Sequence, residues 1–228
     1  QQPTRAIKTD RINFVKKRFS LKEYDPRCKD CPRLTDFLAE VQDRFPRYEC
    51  KPVPPFGVTR PELLIVGLAP GLHGANATGR PFTGDHAGIM LFKTLHKFGF
   101  SSASESVPGD NLALLKCRIT NAVKCLPPQN KPVASEVNTC RRFLKSELGA
   151  LPNGAVIIAL GKISHDSIVR AFGLSVAKLS FGHGTEYELP GGRKILSSYH
   201  CSRYNTQTGR LDQKMFEAIF KRAKALIS

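Results

Sequence analysis

Residues 63–88 read Leu63-Leu64-Ile65-Val66-Gly67-Leu68-Ala69-Pro70-Gly71-Leu72-His73-Gly74-Ala75-Asn76-Ala77-Thr78-Gly79-Arg80-Pro81-Phe82-Thr83-Gly84-Asp85-His86-Ala87-Gly88. The first five are a short apolar run closed by glycine, the pattern of a strand buried on both faces. Beyond Gly67 the chain enters a glycine-rich loop, in which the backbone must turn sharply and approach a ligand closely. From Gly88 to Phe98 apolar residues recur at three- and four-residue intervals, which predicts a helix. Asp85, just ahead of that run, is also placed to cap it.

Three more runs repeat the strand pattern: Cys117 to Val123, Ala155 to Leu160 and Lys194 to Ser198. Helical spacing appears over Leu34 to Arg44, Ser135 to Leu148, Lys162 to Phe172 and Gln213 to Ile227, with Ser135 and Asp212 as expected N-caps. Strands alternating with helices predict an α/β fold, a parallel sheet of four strands covered by helices on both faces. Ligands of such sheets bind beyond the carboxyl ends of the strands, so the loops 68–88, 124–132 and 199–210 are expected to converge on the site.

The chain has 228 residues, 41% of them hydrophobic, enough for one large domain. Residues 1–20 are expected to form a basic N-terminal arm, and 21–228 a single domain. No apolar stretch approaches the roughly 18 residues that a spanning helix needs, so a soluble intracellular protein with no membrane partner is expected. Lys and Arg outnumber Asp and Glu by 35 to 19, a net charge of +16. An excess of that size favours a polyanionic partner, with nucleic acid first.

Seven cysteines do not suit a disulfide framework in a chain of this length. Cys28 and Cys31 form C-x-x-C, Cys125 follows the second strand, and Cys140 falls in the next helix, a set suited to four-thiolate ligation. Spacing alone leaves zinc and an iron-sulfur cluster both open. The spacing Gly79 to Gly84 imitates a phosphate-binding loop, but Asp85 stands where such a loop needs lysine, and that reading is rejected. An acidic residue in a glycine-lined pocket of a basic protein suits stabilisation of a developing cation.

The strings Gly-Leu-Ala-Pro-Gly-x-His-Gly from Gly67, Thr-Gly-Arg-Pro-Phe-Thr-Gly-Asp ending at Asp85, and Ser-Tyr-His-x-Ser-Arg-x-Asn-Thr-Gln-Thr-Gly-Arg-Leu around His200 resemble family 5 of the uracil-DNA glycosylases. With the four cysteines the resemblance extends over roughly residues 25–225. It implies a three-layer α/β/α sandwich around a central four-stranded parallel sheet, and a [4Fe-4S] cluster on Cys28, Cys31, Cys125 and Cys140. It further implies a monomeric, cytoplasmic, nucleoid-associated repair enzyme acting on DNA that contains uracil, hypoxanthine or etheno bases. One departure bears on mechanism. Related families carry an acidic residue at the position of Leu68 or Ala69, and neither residue here can hold a water, so Asp85 becomes the carboxylate nearest the motif.

Breaking the N-glycosidic bond leaves positive charge on the sugar and negative charge on the base. Asp85 is therefore expected to orient water or stabilise the sugar cation, and His200 to donate to the uracil oxygen. Phe82 looks like the floor on which the flipped base stacks, within a pocket shaped by Gly67, Ala69, Pro70 and Gly71. Asn130 and Asn121 are both candidates for the base edge, since an amide donates and accepts together; the resemblance favours Asn130. His73 is a weaker candidate from the first loop. Arg203, Asn205 and Gln207 lie in a polar loop expected to act as a DNA wedge. Two alternatives compete with this reading: a non-enzymatic zinc module, in which the glycine loop and His200 share no purpose, and a uracil-restricted family 4 enzyme, against which Leu68 argues.

Overall fold

A computed structural model describes residues 24–227, so the expected arm over 1–20 lies outside the described residues. The helices are α1 (Pro32–Arg44), α2 (Ala75–Thr78), α3 (His86–Lys97), α4 (Ala134–Ala150), α5 (Lys162–Ala171), α6 (Arg203–Gln207) and α7 (Gln213–Ile227). The strands are β1 (Phe56–Gly57), β2 (Leu63–Gly67), β3 (Cys117–Asn121), β4 (Val156–Leu160), β5 (Glu186–Leu189) and β6 (Arg193–Ser198). They form one six-stranded sheet in the order β1-β3-β2-β4-β6-β5. The four central strands run parallel, as the apolar runs predict. β1 and β5 add antiparallel edges that the apolar runs do not predict. β1 has two residues and β5 four, too few to carry a recognisable period-2 pattern.

Alternation along the parallel strands divides the core. Leu63 and Ile65 of β2, Ile119 of β3, Ile158 of β4 and Leu196 of β6 face α3 and α7, where they meet Leu91, Leu95, Phe216 and Phe220. Leu64, Val66, Ile157, Ala159 and Ile195 point the other way, onto Leu144, Leu148 and Ile168 of α4 and α5. Successive strand side chains take opposite faces, so an all-apolar strand requires helices on both. The result is three layers. Each of these fully buried aliphatic side chains stabilises the fold by about 1.5–3 kcal/mol.

Two helix starts separate expectation from outcome. Asp212 caps α7 as expected, accepting from Met215 N–H at 2.7 Å. Ser135 does not cap α4: the helix begins at Ala134, and Glu136 reaches back to accept from Val133 N–H at 2.8 Å. The same carboxylate holds Arg33 of α1 through two bonds of 2.7 and 2.8 Å, which ties α1 to α4. A charged acceptor that also neutralises a cation out-competes a serine hydroxyl at a helix start.

Candidate active site

The parallel strands end along one edge, and the loops beyond them meet there. Gly67 closes β2. A side chain at this position would meet Asn121 Oδ1 at 2.4 Å and the Phe82 ring at 2.7 and 2.8 Å, so the glycine lets an amide and an aromatic ring press on the same backbone atom. Asn121 closes β3, is 4% exposed, and its Oδ1 has no hydrogen-bond partner. A buried unpaired amide oxygen costs about 1–3 kcal/mol, and it stands ready for a ligand's donor.

Phe82 is 6% exposed and has φ of +56°, a left-handed conformation that a bulky residue rarely adopts. The neighbouring helix start explains how it is held. A β-carbon on Gly88 would fall 1.9 Å from the Phe82 carbonyl oxygen, so only glycine allows α3 to approach this closely. Phe82 and His200 have ring centroids 5.9 Å apart and planes inclined by 24°. The two rings are nearly parallel, so the imidazole and the aromatic face border the same space.

Asp85 caps α3, its Oδ1 accepting from Gly88 N–H at 2.8 Å. Its other oxygen faces glycine: a β-carbon on Gly74 would lie 2.5 Å from Oδ2, and one on Gly71 3.6 Å. Burial raises the Asp85 pKa above the usual carboxylate value, against the lowering effect of the Gly88 and Ala87 amides. Asp85 is thus the helix cap that the sequence predicts. His200 follows β6 and is half-buried at its surface, yet burial alone lowers its pKa to about 4, which keeps the imidazole neutral near pH 7. Asn205 of α6 donates to the His200 carbonyl at 2.8 Å.

The remaining sequence candidates divide. Pro70 is buried, while Ala69 packs with Leu34, Val123 and the cysteines and so faces away from this edge. His73 is exposed, with Nδ1 2.8 Å from the Tyr48 hydroxyl. Asn130 is exposed at the end of a single 3-10 turn over Pro128–Asn130, whereas Asn121 is the amide brought to Gly67 and Phe82. The expected wedge loop is in part helical: Ser202 caps α6, which displays exposed Arg203 and Gln207 and the 71% exposed Tyr204. Two residues given no role by the sequence analysis, one of them the last glycine of the Gly67 motif, have positions here. His86 Nε2 lies 3.0 Å from Thr206 Oγ1 and fastens α6 to the start of α3, and Gly74 seats Asp85. His165 is a structural pin between Ser197 Oγ and the Leu179 carbonyl, each at 2.7 Å.

Behind the sheet edge, Cys28, Cys31, Cys125 and Cys140 line one cavity with Leu34, Val123 and Phe143. None is in a disulfide. Burial, and then the charge of neighbouring thiols, pushes Cys31 up to about 11 and Cys125 to about 12. Two sulfurs accept hydrogen bonds, Cys140 from Lys124 N–H at 3.3 Å and Cys28 from Arg142 Nη2 at 3.6 Å, while Arg142 pairs with Asp30. Among the described residues, no three His, Cys, Asp or Glu side chains stand close enough to hold one metal ion. Four soft donors on apolar walls with N–H···S support fit a wider thiolate-held group, whose ligands need not crowd a single centre. Cys117 and Cys201 are fully buried elsewhere in the core.

Comparison with known proteins gives a consistent picture. The family model described as "Uracil DNA glycosylase superfamily" matches residues 54–224. A type-5 uracil-DNA glycosylase of Thermus thermophilus is 48% identical over 204 residues, covering 87% of this chain and 93% of that protein. A type-5 enzyme of Mycobacterium tuberculosis is 41% identical over 208 residues, covering 87% and 78%. A type-4 uracil-DNA glycosylase of Pyrobaculum aerophilum is 34% identical over 162 residues, covering 70% and 74%.

Proposed function

The chain belongs to the uracil-DNA glycosylase superfamily, and on that premise we propose that it is a monofunctional DNA N-glycosylase that extrudes uracil from DNA and hydrolyses its N-glycosidic bond. The observation that carries this reading is Gly67, whose bare α-carbon sits between an unsatisfied amide and an aromatic ring. That close packing puts an unpaired acceptor beside an aromatic face, so one flat ring with a donor on its edge can meet both.

The flipped base stacks on Phe82, and Asn121 Oδ1 accepts from its N3–H while the amide nitrogen donates to a carbonyl. We assign the base edge to Asn121 in place of Asn130, because Asn121 is the buried amide against the ring. His200, beside the Phe82 ring, donates to a uracil carbonyl as negative charge gathers there. Its lowered pKa keeps it a neutral donor, so the anion is stabilised without a full proton transfer. Asp85 faces the sugar. A carboxylate that burial has left poorly solvated gains most when positive charge develops beside it, and the same anion can orient the attacking water. Arg203, Gln207 and Tyr204 of α6 meet the DNA around the vacated stack. Hypoxanthine and etheno bases fall within the proposed range, since no acidic group at Leu68 or Ala69 narrows the pocket to uracil.

Cys28, Cys31, Cys125 and Cys140 would hold a [4Fe-4S] cluster, which supplies cross-linking of α1, the segment after β3 and α4 rather than reactive chemistry. Equal amounts of iron and sulfide, with broad visible absorption and little zinc, support it; stoichiometric zinc in a colourless protein overturns it. The enzymatic reading is tested by an excision panel on single- and double-stranded oligonucleotides bearing uracil, hypoxanthine or etheno-cytosine. Abasic product from uracil is expected first. Intact strands from every substrate, with the metal content verified, refute the reading.

A further inference from the structure

Outside the pocket, a group of contacts joins the segment after α1 to the loop that seats Asp85. Tyr48 stacks on Phe45 with centroids 4.7 Å apart and planes within 10°. His73 stands edge-on to both, at 5.5 Å from Phe45 and 6.0 Å from Tyr48, with Nδ1 2.8 Å from the Tyr48 hydroxyl. Main-chain bonds run alongside, from Glu49 N–H to Ala77 O at 3.3 Å and from Cys50 N–H to Asn76 O at 3.1 Å. The Asn76 amide adds a bond to Cys50 Sγ at 3.5 Å. Beneath, Phe45, Tyr48 and Leu72 pack on Leu38, Val41 and Leu126. The next residue after His73 is Gly74, against which the Asp85 carboxylate rests.

We propose that Tyr48 is a positioning residue for DNA binding: its hydroxyl donates to Nδ1 of His73 and so fixes the tautomer that presents Nε2–H to a backbone phosphate of the substrate strand. The inference rests on the glycosylase reading, which makes DNA the ligand of this edge. A neutral imidazole has one donor and one acceptor nitrogen; a phenol hydroxyl can take either role, but it is a stronger acid than an imidazole N–H, which favours donation to Nδ1 and leaves the proton on Nε2. Nδ1 faces Tyr48, and His73 is an exposed residue one position before Gly74, against which the Asp85 carboxylate rests. The two aromatic rings fix the imidazole plane before any ligand arrives, and a donor already oriented loses little freedom on binding. The net charge of +16 favours a phosphate there over a cationic partner.

Tyr48→Phe keeps the ring and its stack and removes only the hydroxyl. With metal-loaded protein and uracil-containing duplex, it should raise Kd and KM by about three- to tenfold, the value of one net hydrogen bond. The single-turnover rate at saturating DNA should change by less than about twofold. His73→Ala should show the same loss, and the double variant no more than His73→Ala alone. The ¹⁵N shifts of His73 should report Nε2–H in the parent protein and a tautomer mixture in Tyr48→Phe. Unchanged binding by Tyr48→Phe, losses that multiply in the double variant, or a fall in the saturating rate at constant KM each overturns the proposal. A parent protein that shows this pattern in Kd but leaves uracil in place refutes the glycosylase reading and not the role of Tyr48.

Discussion

Gly74→Ala places one methyl group against the proposed sugar-side carboxylate. The added carbon would stand 2.5 Å from Asp85 Oδ2, 2.9 Å from Cγ and 2.8 Å from Cβ, so all three atoms must move together. Restoring ordinary contact at about 3.5 Å requires Asp85 to retreat by roughly 1 Å. Such a retreat strains the 2.8 Å bond from Gly88 N–H that holds the side chain. A displacement of that size at a reacting group costs on the order of 100-fold in rate. The overpacking itself costs about 1–3 kcal/mol, which a domain of ordinary stability survives. Gly71→Ala is the matched control, because its methyl would lie 3.6 Å from the same oxygen and should alter the rate by less than about threefold. The assay is single-turnover excision from an end-labelled uracil oligonucleotide, read as alkali-cleaved abasic product, with a thermal melt to establish folding. A folded Gly74→Ala protein that excises uracil at close to the parent rate would show that the position of Asp85 does not matter, and the mechanism built on it would fall.

Other consequences are open to simpler measurements. The pKa of His200 in the folded state, about 4, lies below the roughly 6.5 of an unfolded histidine, so the unfolded chain takes up the proton first as pH falls. The urea midpoint should therefore drop between about pH 6.5 and 4, and His200→Gln should flatten that slope; an identical slope in the variant would contradict the burial argument. Asn121→Ala should reduce uracil excision by at least about tenfold and Asn130→Ala by less than about threefold, and the reverse order would restore Asn130 to the base edge. Lys124 and Glu147 form a buried ion pair at 2.5 Å, with side chains 2% and 1% exposed. Lys124→Met should cost up to about 3–5 kcal/mol in chemical denaturation by leaving the buried carboxylate to Thr120 at 3.0 Å and the more distant Arg118 at 3.9 Å, and adding Glu147→Leu should recover most of it; no recovery would mean that shape rather than charge dominates there.

The central sheet was legible because β2 and β4 are apolar throughout and β3 and β6 carry shorter aliphatic or β-branched cores, and Leu63 to Gly67 forms β2 with the boundaries expected of it. The edges were not legible, since pairing of β1 and β5 depends on a neighbour rather than on their own periodicity. Asp85 at the cap of α3 and the approach of Phe82 to His200 arise from the loop positions that the fold dictates. Between the two amides the resemblance favours Asn130, while the burial that distinguishes Asn121 is a tertiary property with no signature in the sequence. Tyr48 gave no signal: it lies 25 residues before its partner, in no motif, and contact across that separation is a tertiary fact. The start of α4 misled for a different reason, as Ser135 is a standard cap and the competing carboxylate of Glu136 was already engaged by Arg33 on another helix.

The approach of Gly88 to the Phe82 carbonyl oxygen makes the proposed floor of the base pocket and the helix that Asp85 caps a single mechanical unit. Neither can be retuned alone. On the proposed mechanism, remodelling the backbone at residue 82 would drag the carboxylate with it and lose turnover before it gained new substrates. Evolution or engineering toward bulkier lesions has to work through the outline of the ring at 82 and through the facing strand ends, leaving the chain path from 82 to 88 as inherited.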